Sequence, residues 1–250
     1  MILRALEVGY RHIDTAQYYD NEKQVGDAMR ASGVTRDEIF VTTKVWIDRF
    51  AEGDLERSVE ESLGRLRLES VDLVLLHWPN PAFPIDATVR ALCRTRTAGL
   101  ARHVGLSNFP LALMGQALAA ADEPLVANEV EFHPFLAQRA LLEALRNRGM
   151  ALVAHTPLGR GWVAHDSTLR SIAASRGRTP SQIALRWLLQ HPGVAAIPGS
   201  TNEEHLKENF AVFGFELSPD EMRSISSLAS PAGRILEWPE VVARWDEEAP

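Results

Sequence analysis

The sequence is poor in the features that mark several protein classes. It holds one cysteine, Cys93, so no intrachain disulfide is available, and its apolar helical surroundings suit a core thiol better than a nucleophile. No apolar run approaches the ~18 residues of a membrane span, and no signal-peptide pattern opens the chain. Positive charge is in deficit. Lys and Arg total 26 against 33 Asp and Glu, a formal net charge of -7, with no basic run to track a phosphate backbone, which argues against nucleic acid as a partner. Internal repeats and Gly/Ser or Pro linkers are also missing, so the 250 residues, 46% hydrophobic, are expected to form a single cytoplasmic domain over 1–250 with a substantial core. Finally, no G-x-G-x-x-G fingerprint follows the first predicted strand, as a doubly wound dinucleotide-binding sheet would normally show.

What is present is a regular alternation. IFVTTKVW precedes GDLERSVEESLGRLR, VDLVLLHW precedes DATVRALCRTRTAGL, and HVGLSNF precedes PLALMGQALAAA. The rhythm continues through LVANEVEF, ALLEALRNRG, MALVAH, TPSQIALRWLLQ, GVAAIPGS and EEHLKENFAVF. Short β-rich runs followed by segments of helical period predict parallel βα units. With RHID included, seven strands are predicted, and MILRALEVG reads as a helix with no strand before it. The predicted fold is therefore an α/β (β/α)8 TIM barrel lacking its first strand at the N-terminus. As written, the chain is expected to be a shortened form of the functional protein, of low stability and weak in cofactor binding.

In such a barrel the catalytic groups stand at the carboxyl ends of the strands. Asp14 closes RHID, Lys44 closes IFVTTK, His77 closes VDLVLLH, Ser107 and Asn108 close HVGLSN, Glu129 lies in VANEVEF, and His155 closes MALVAH. Taken singly, Asp14 is as readily a cap, His77 a satisfied core histidine, and Tyr18 and Tyr19 half-buried aromatics. Lys44 is harder to place in the core, because an ammonium on an apolar strand must reach solvent or pair with a charge. An acid, an amine, an imidazole and a phenol at adjacent strand ends are costly to bury without use. Together they suit proton donation to a carbonyl. A phenol of ordinary pKa ~10 is a poor acid at neutral pH, and a neighbouring ammonium lowers that value. Lys44 supplies the ammonium, Asp14 holds it, and His77 orients the carbonyl oxygen; the chemistry then needs a hydride source.

The stretches GYRHIDTAQYYDNEKQVG, FVTTKVW, DLVLLHWP, VGLSNF, NEVEFHP, PLGRG and IPGSTNEEHLKEN resemble, in order and over nearly the whole chain, the motifs of the aldo-keto reductases. Within that superfamily the likeness is closest to the bacterial 2,5-diketo-D-gluconate reductases, which also act on methylglyoxal and other reactive carbonyls. The resemblance implies a monomeric, metal-free carbonyl reductase using NADPH or NADH, with a small-molecule carbonyl substrate. It places the catalytic tetrad on Asp14, Tyr19, Lys44 and His77. Tyr19 is chosen over Tyr18 because the family tyrosine lies five positions after the aspartate and two before Asn-Glu. By the same matches Ser107 and Asn108 hold the nicotinamide carboxamide, Leu158 and Gly159 lie along the pyrophosphate, and Ser200, Glu208 and Asn209 meet the adenosine half.

Three places depart from the family pattern. Glu129 stands where a glutamine usually bonds the carboxamide, and His155 replaces an aromatic that stacks on the nicotinamide. Gly199 and His205 stand where NADPH-preferring relatives often carry Lys and Arg, with Glu203 and Glu204 beside them. A weakened hold on the 2'-phosphate is expected. Trp46 and Trp78, close behind Lys44 and His77 in sequence, either wall an apolar substrate pocket or belong to the core. Residues 230–250 correspond to family tails that fold over the barrel mouth and tune substrate choice.

Two other readings compete. His12 and Asp14 share one strand face, and with His77, His133 and His155 they imitate the metal site of a barrel hydrolase, which leaves Lys44 and the Ser107–Asn108 pair without a role. A non-catalytic barrel that keeps the tetrad but holds no cofactor is the other.

Overall fold

The computed structural model describes residues 1–136, 138–239, 241 and 245. The chain divides into two compact units, one built from Ile2–Asn128 with the described part of Trp238–Trp245, the other essentially from Glu129–Glu237.

In the first unit strands and helices alternate: α1 (Ile2–Val8), β1 (His12–Asp14), α2 (Glu22–Ala31), β2 (Phe40–Val45), α3 (Asp54–Leu66), β3 (Val71–Leu76), α4 (Ile85–Thr97), β4 (Ala101–Ser107) and α5 (Leu111–Ala120). Strands β1 to β4 pair in chain order, all parallel. Covered by helices, such strands read as apolar runs, and every residue of β3 is buried. The exception in sequence, Asp72, is 3% exposed and fully compensated. It accepts the Val41 N–H at 2.8 Å and pairs with Arg36 at 2.7 Å and Arg102 at 3.1 Å. Helix α2 packs so closely on the end of α3 that a Cβ on Gly26 would stand 2.2 Å from the Leu66 carbonyl oxygen.

Strand β5 (Leu125–Glu131) begins in the first unit and ends in the second, which continues with α6 (Arg139–Arg146), β6 (Ala151–His155), α7 (Ser167–Arg176), α8 (Pro180–Leu189), β7 (Val194–Ala196), α9 (Glu203–Phe210) and α10 (Pro219–Ser226). The Phe132 N–H donates to the His155 carbonyl at 3.4 Å, and β6 pairs parallel with β7. The seven predicted strands are all found. Helices α7 and α10 are additions to the sequence-based reading. Asp166 caps α7 through the Leu169 N–H, and a Ser218–Glu221 capping box opens α10. Among the described residues no helix is long and apolar enough to cross a membrane.

Candidate active site

Strand register brings the polar strand ends of the first unit together. Asp14 is the partner of Thr42 across β1 and β2, and Lys44, two residues further along β2, falls on the same face. Lys44 is wholly buried, and its ammonium donates to Asp14 and, at 3.2 Å, to the Thr15 carbonyl. A buried ammonium requires such partners. His77 follows β3 directly; its N–H donates to the Val45 carbonyl at 3.1 Å and the residue is 7% exposed.

Tyr18 and Tyr19 belong to a single 3-10 turn, Gln17–Tyr19, closed by Asp20 in the left-handed region at φ 49°. The two rings go different ways. Tyr19 has its ring centroid 5.4 Å from Lys44 Nζ and lies edge-on to the His77 ring at 5.6 Å and 87°. Tyr18, 63% exposed, stacks on Trp46 at 4.1 Å and 21°, with its ring 6.3 Å from His77. Asn108, at φ 62°, donates its amide to the His77 carbonyl and to Ser107 Oγ, both at 3.0 Å, which ties the end of β4 to the histidine. The structure thus brings Asp14, Tyr19, Lys44 and His77 to one place, with Ser107 and Asn108 adjoining.

Trp46 also meets His77 at 5.2 Å and Trp238 at 5.4 Å. Trp78 is 7% exposed and packs on Trp238, Trp245 and Val241. Sequence reasoning saw Trp238 only as part of a tail; the ring now joins both expected wall residues. Residues 240, 242–244 and 246–250 of that tail lie outside the described residues. A cavity of about 350 Å³ lies beside the segment that follows Trp78, lined by Phe50, Pro79, Asn80, Phe83 and Phe109 among others. No pattern in the sequence pointed to it.

In the second unit, His155 ends β6, half-buried, with Nδ1 3.1 Å from Thr156 Oγ1. Glu129 is 2% exposed. Gly159, at φ 53°, is buried behind Leu158. Ser200 Oγ donates to the Asn202 carbonyl at 3.1 Å and accepts its N–H at 3.0 Å, just ahead of α9, which carries exposed His205, partly buried Glu208 and buried Asn209. His133, invoked above as a metal ligand, uses both ring nitrogens within this unit. Nε2 lies 2.9 Å from Glu131 Oε1, and Nδ1 accepts the Phe135 N–H at 3.3 Å. His12, the other, has Nε2 2.9 Å from Thr42 Oγ1.

Glu131 is a site that the sequence reading missed. Its carboxylate, 1% exposed, accepts the N–H groups of Ile235 and Leu236 at 2.8 and 2.9 Å in addition to His133. Burial pushes its pKa up, but the bonds from His133, Leu236 and Ile235 outweigh it and hold the carboxyl below its ordinary value. A lowered folded-state pKa means that this stabilisation is present above the unfolded value of ~4.3 and is lost as pH falls through the folded one. Glu131→Gln should therefore lower stability at pH 7 by about 1–3 kcal/mol and flatten its decline below pH ~4.5. Amide exchange at Ile235 and Leu236 reads the same loss, and unchanged protection of both amides would refute it.

Buried, charge-paired groups gathered at the carboxyl ends of parallel strands are the arrangement expected of a (β/α) barrel enzyme. A sequence profile of the Aldo/keto reductase family matches residues 1–230. Methylglyoxal reductase DkgB of Escherichia coli O157:H7 is 37% identical over 243 residues, 94% of this chain and 91% of that protein. A solved structure assigned to a 2,5-diketo-D-gluconic acid reductase B is 42% identical with a TM-score of 0.97, covering 99% of this chain and 88% of that one. The structure of a Gox0644 mutant in complex with NADPH is 36% identical with a TM-score of 0.88, covering 94% of this chain and 86% of that one. The chain belongs to the aldo/keto reductase family. Its fold is that family's (β/α)8 type, with seven strands among the described residues, and it is an NAD(P)H-dependent oxidoreductase.

Proposed function

We propose that the protein reduces the aldehyde or ketone group of small reactive carbonyls, of the methylglyoxal or 2,5-diketo-D-gluconate kind, with Tyr19 as proton donor. The observation that carries this reading is the fully buried Lys44, paired to Asp14, with its ammonium 5.4 Å from the Tyr19 ring. A bound nicotinamide supplies the hydride. Lys44 stabilises the phenolate that Tyr19 becomes, so the phenol releases its proton nearer neutral pH, and Asp14 keeps Lys44 charged and in place. His77 directs the carbonyl oxygen toward Tyr19 Oη, from which the proton moves. Trp46 meets His77, and Trp238 packs on both Trp46 and Trp78, so these rings would offer a carbonyl substrate an apolar wall. Turnover of methylglyoxal, followed by loss of nicotinamide absorbance, tests the reading. Cofactor binding without reduction of either substrate would overturn it. The protein is read as a cytoplasmic monomer, which sedimentation would check for oligomeric state.

The residues present fit a nicotinamide dinucleotide by their donor chemistry. Ser107 and Asn108 offer hydroxyl and amide groups for the carboxamide, and Glu129 offers acceptors only. His155 would offer an imidazole face to a nicotinamide, and the backbone at Leu158 and Gly159, with Gly159 at positive φ, would suit a pyrophosphate. Ser200, His205, Glu208 and Asn209 serve the adenosine half. The fit to a 2'-phosphate is poorer, because Gly199 has no side chain, His205 brings no permanent cation, and Glu203 and Glu204 fill the first turn of α9. Lys207 donates to Glu204 at 2.9 Å. A charge-assisted bond contributes about 1.5–3 kcal/mol, so without two of them the dissociation constants of NADPH and NADH should agree within about tenfold. Fluorescence titration decides this, and a preference of several hundredfold for NADPH would show that another cation holds the phosphate.

A further inference from the structure

We propose that Gln17 is a positioning residue that holds the turn carrying Tyr19 against the end of β2, an inference that rests on the carbonyl-reductase reading above. Gln17 opens the Gln17–Tyr19 turn, and its amide bonds in two directions. Oε1 accepts the Trp46 N–H at 2.9 Å, while Nε2 donates to the Ser58 carbonyl at 3.0 Å, Ser58 Oγ at 3.2 Å and Ser62 Oγ at 3.1 Å on α3. One side chain therefore joins three segments: the tyrosine turn, the residue two places beyond Lys44, and a helix.

The orientation of that amide follows from its neighbours. Ser58 Oγ already donates to the Leu55 carbonyl at 2.8 Å and Ser62 Oγ to the Ser58 carbonyl at 3.1 Å, so both hydroxyls meet Gln17 as acceptors. Ser62 Oγ also accepts from Arg65 at 3.0 Å. A flipped amide would set Oε1 among these oxygens and turn its NH₂ against the Trp46 N–H. The far side of the turn is tied as well, by the Thr15 hydroxyl donating to Asn21 Oδ1 at 2.6 Å, and by Glu22, which accepts from Thr43 at 2.5 Å and Arg65 at 2.7 Å.

Such ties matter for Tyr19 because it stands on a short, partly open turn. The residue is 44% exposed, and the turn closes through the Tyr19 N–H on the Ala16 carbonyl at 3.1 Å and the Asp20 N–H on the Gln17 carbonyl at 3.2 Å. Tyr18 stacks on Trp46, whose own N–H is the one Gln17 holds. Loss of the Gln17 amide frees the turn from β2 and α3 together and leaves the Trp46 N–H without that acceptor. The phenol then drifts from Lys44 and His77, and a misplacement near 1 Å lowers rates by up to ~10²-fold.

Gln17→Met keeps the length of the side chain and removes every one of these bonds. The expected result is a fall in kcat of about 10–100-fold, cofactor affinity within about twofold of wild type, and a basic limb of the kcat–pH profile shifted to higher pH as Tyr19 loses its ammonium neighbour. Val59→Ala, a core truncation on α3, destabilises the same helix while removing none of these bonds and should leave that limb in place. Wild-type kcat and an unmoved limb in Gln17→Met, or the same shift in Val59→Ala, would overturn the proposal. If Gln17→Met does not fold, Ser62→Ala withdraws one acceptor and should lower kcat about two- to fivefold with a limb shift in the same direction; no change in either would equally overturn it. Tyr19→Phe in the same assay separates the two claims. Full turnover there refutes the role of Tyr19, whereas its loss beside an unaffected Gln17→Met refutes only that of Gln17.

Discussion

Tyr19→Phe is expected to lower kcat for methylglyoxal by ~10²–10⁴-fold, the usual contribution of a general acid, with cofactor dissociation constants within about twofold of wild type. Phenylalanine retains the ring that lies edge-on to His77 and removes the hydroxyl that would donate the proton. Tyr18→Phe is the informative partner, because Tyr18 is turned to Trp46 and should tolerate the change within a few-fold. Steady-state kinetics of both variants with saturating cofactor make the measurement. Loss in Tyr18→Phe with full activity in Tyr19→Phe would reverse the assignment of the donor.

Lys44→Met should abolish measurable reduction and also destabilise the fold by about 3–5 kcal/mol, because removing one member of a buried ion pair leaves the other charge in a poorly solvated place. Here Lys44 is fully buried and the Asp14 side chain is 10% exposed. Adding Asp14→Asn to Lys44→Met removes the stranded charge, so the double variant should recover much of the lost stability and none of the activity. Urea unfolding of the two single variants and the double variant gives the coupling. Simple additivity of the two losses would mean that the pair contributes nothing beyond its separate parts.

The fold was legible wherever an element carries its own signal. VDLVLL reads as a buried parallel strand because its apolar run is short and nearly unbroken, and it is buried throughout. Helices α7 and α10 carry little apolar periodicity, because each buries few residues, Leu169 and Ala173 in α7 and Ile225 in α10. Their caps were the better signal: Asp166 with Gly177 for one, Ser218, Pro219 and Glu221 for the other. The gathering of Asp14, Lys44 and His77 was legible by another route, since strand ends of a barrel share one face; Tyr19, on the turn Gln17–Tyr19, was singled out only through the family resemblance.

By itself the sequence determined the succession of βα units, the residues that end the strands, and the chemistry available to them. These follow from periodicity and residue type, which act over two to four positions along the chain. Only the tertiary structure decided which tyrosine turns toward Lys44 and His77, that Gln17 bonds to Trp46 29 positions away, and that the Glu131 carboxylate meets the Ile235 N–H 104 positions away. Hydrogen bonds and ring contacts of this kind act over about 3 Å to 7 Å in space. Their partners are chosen by how helices and strands dock, through packing that leaves no periodic trace in the chain, so residues such as Gln17 and Glu131 look like ordinary polar positions until the elements are assembled.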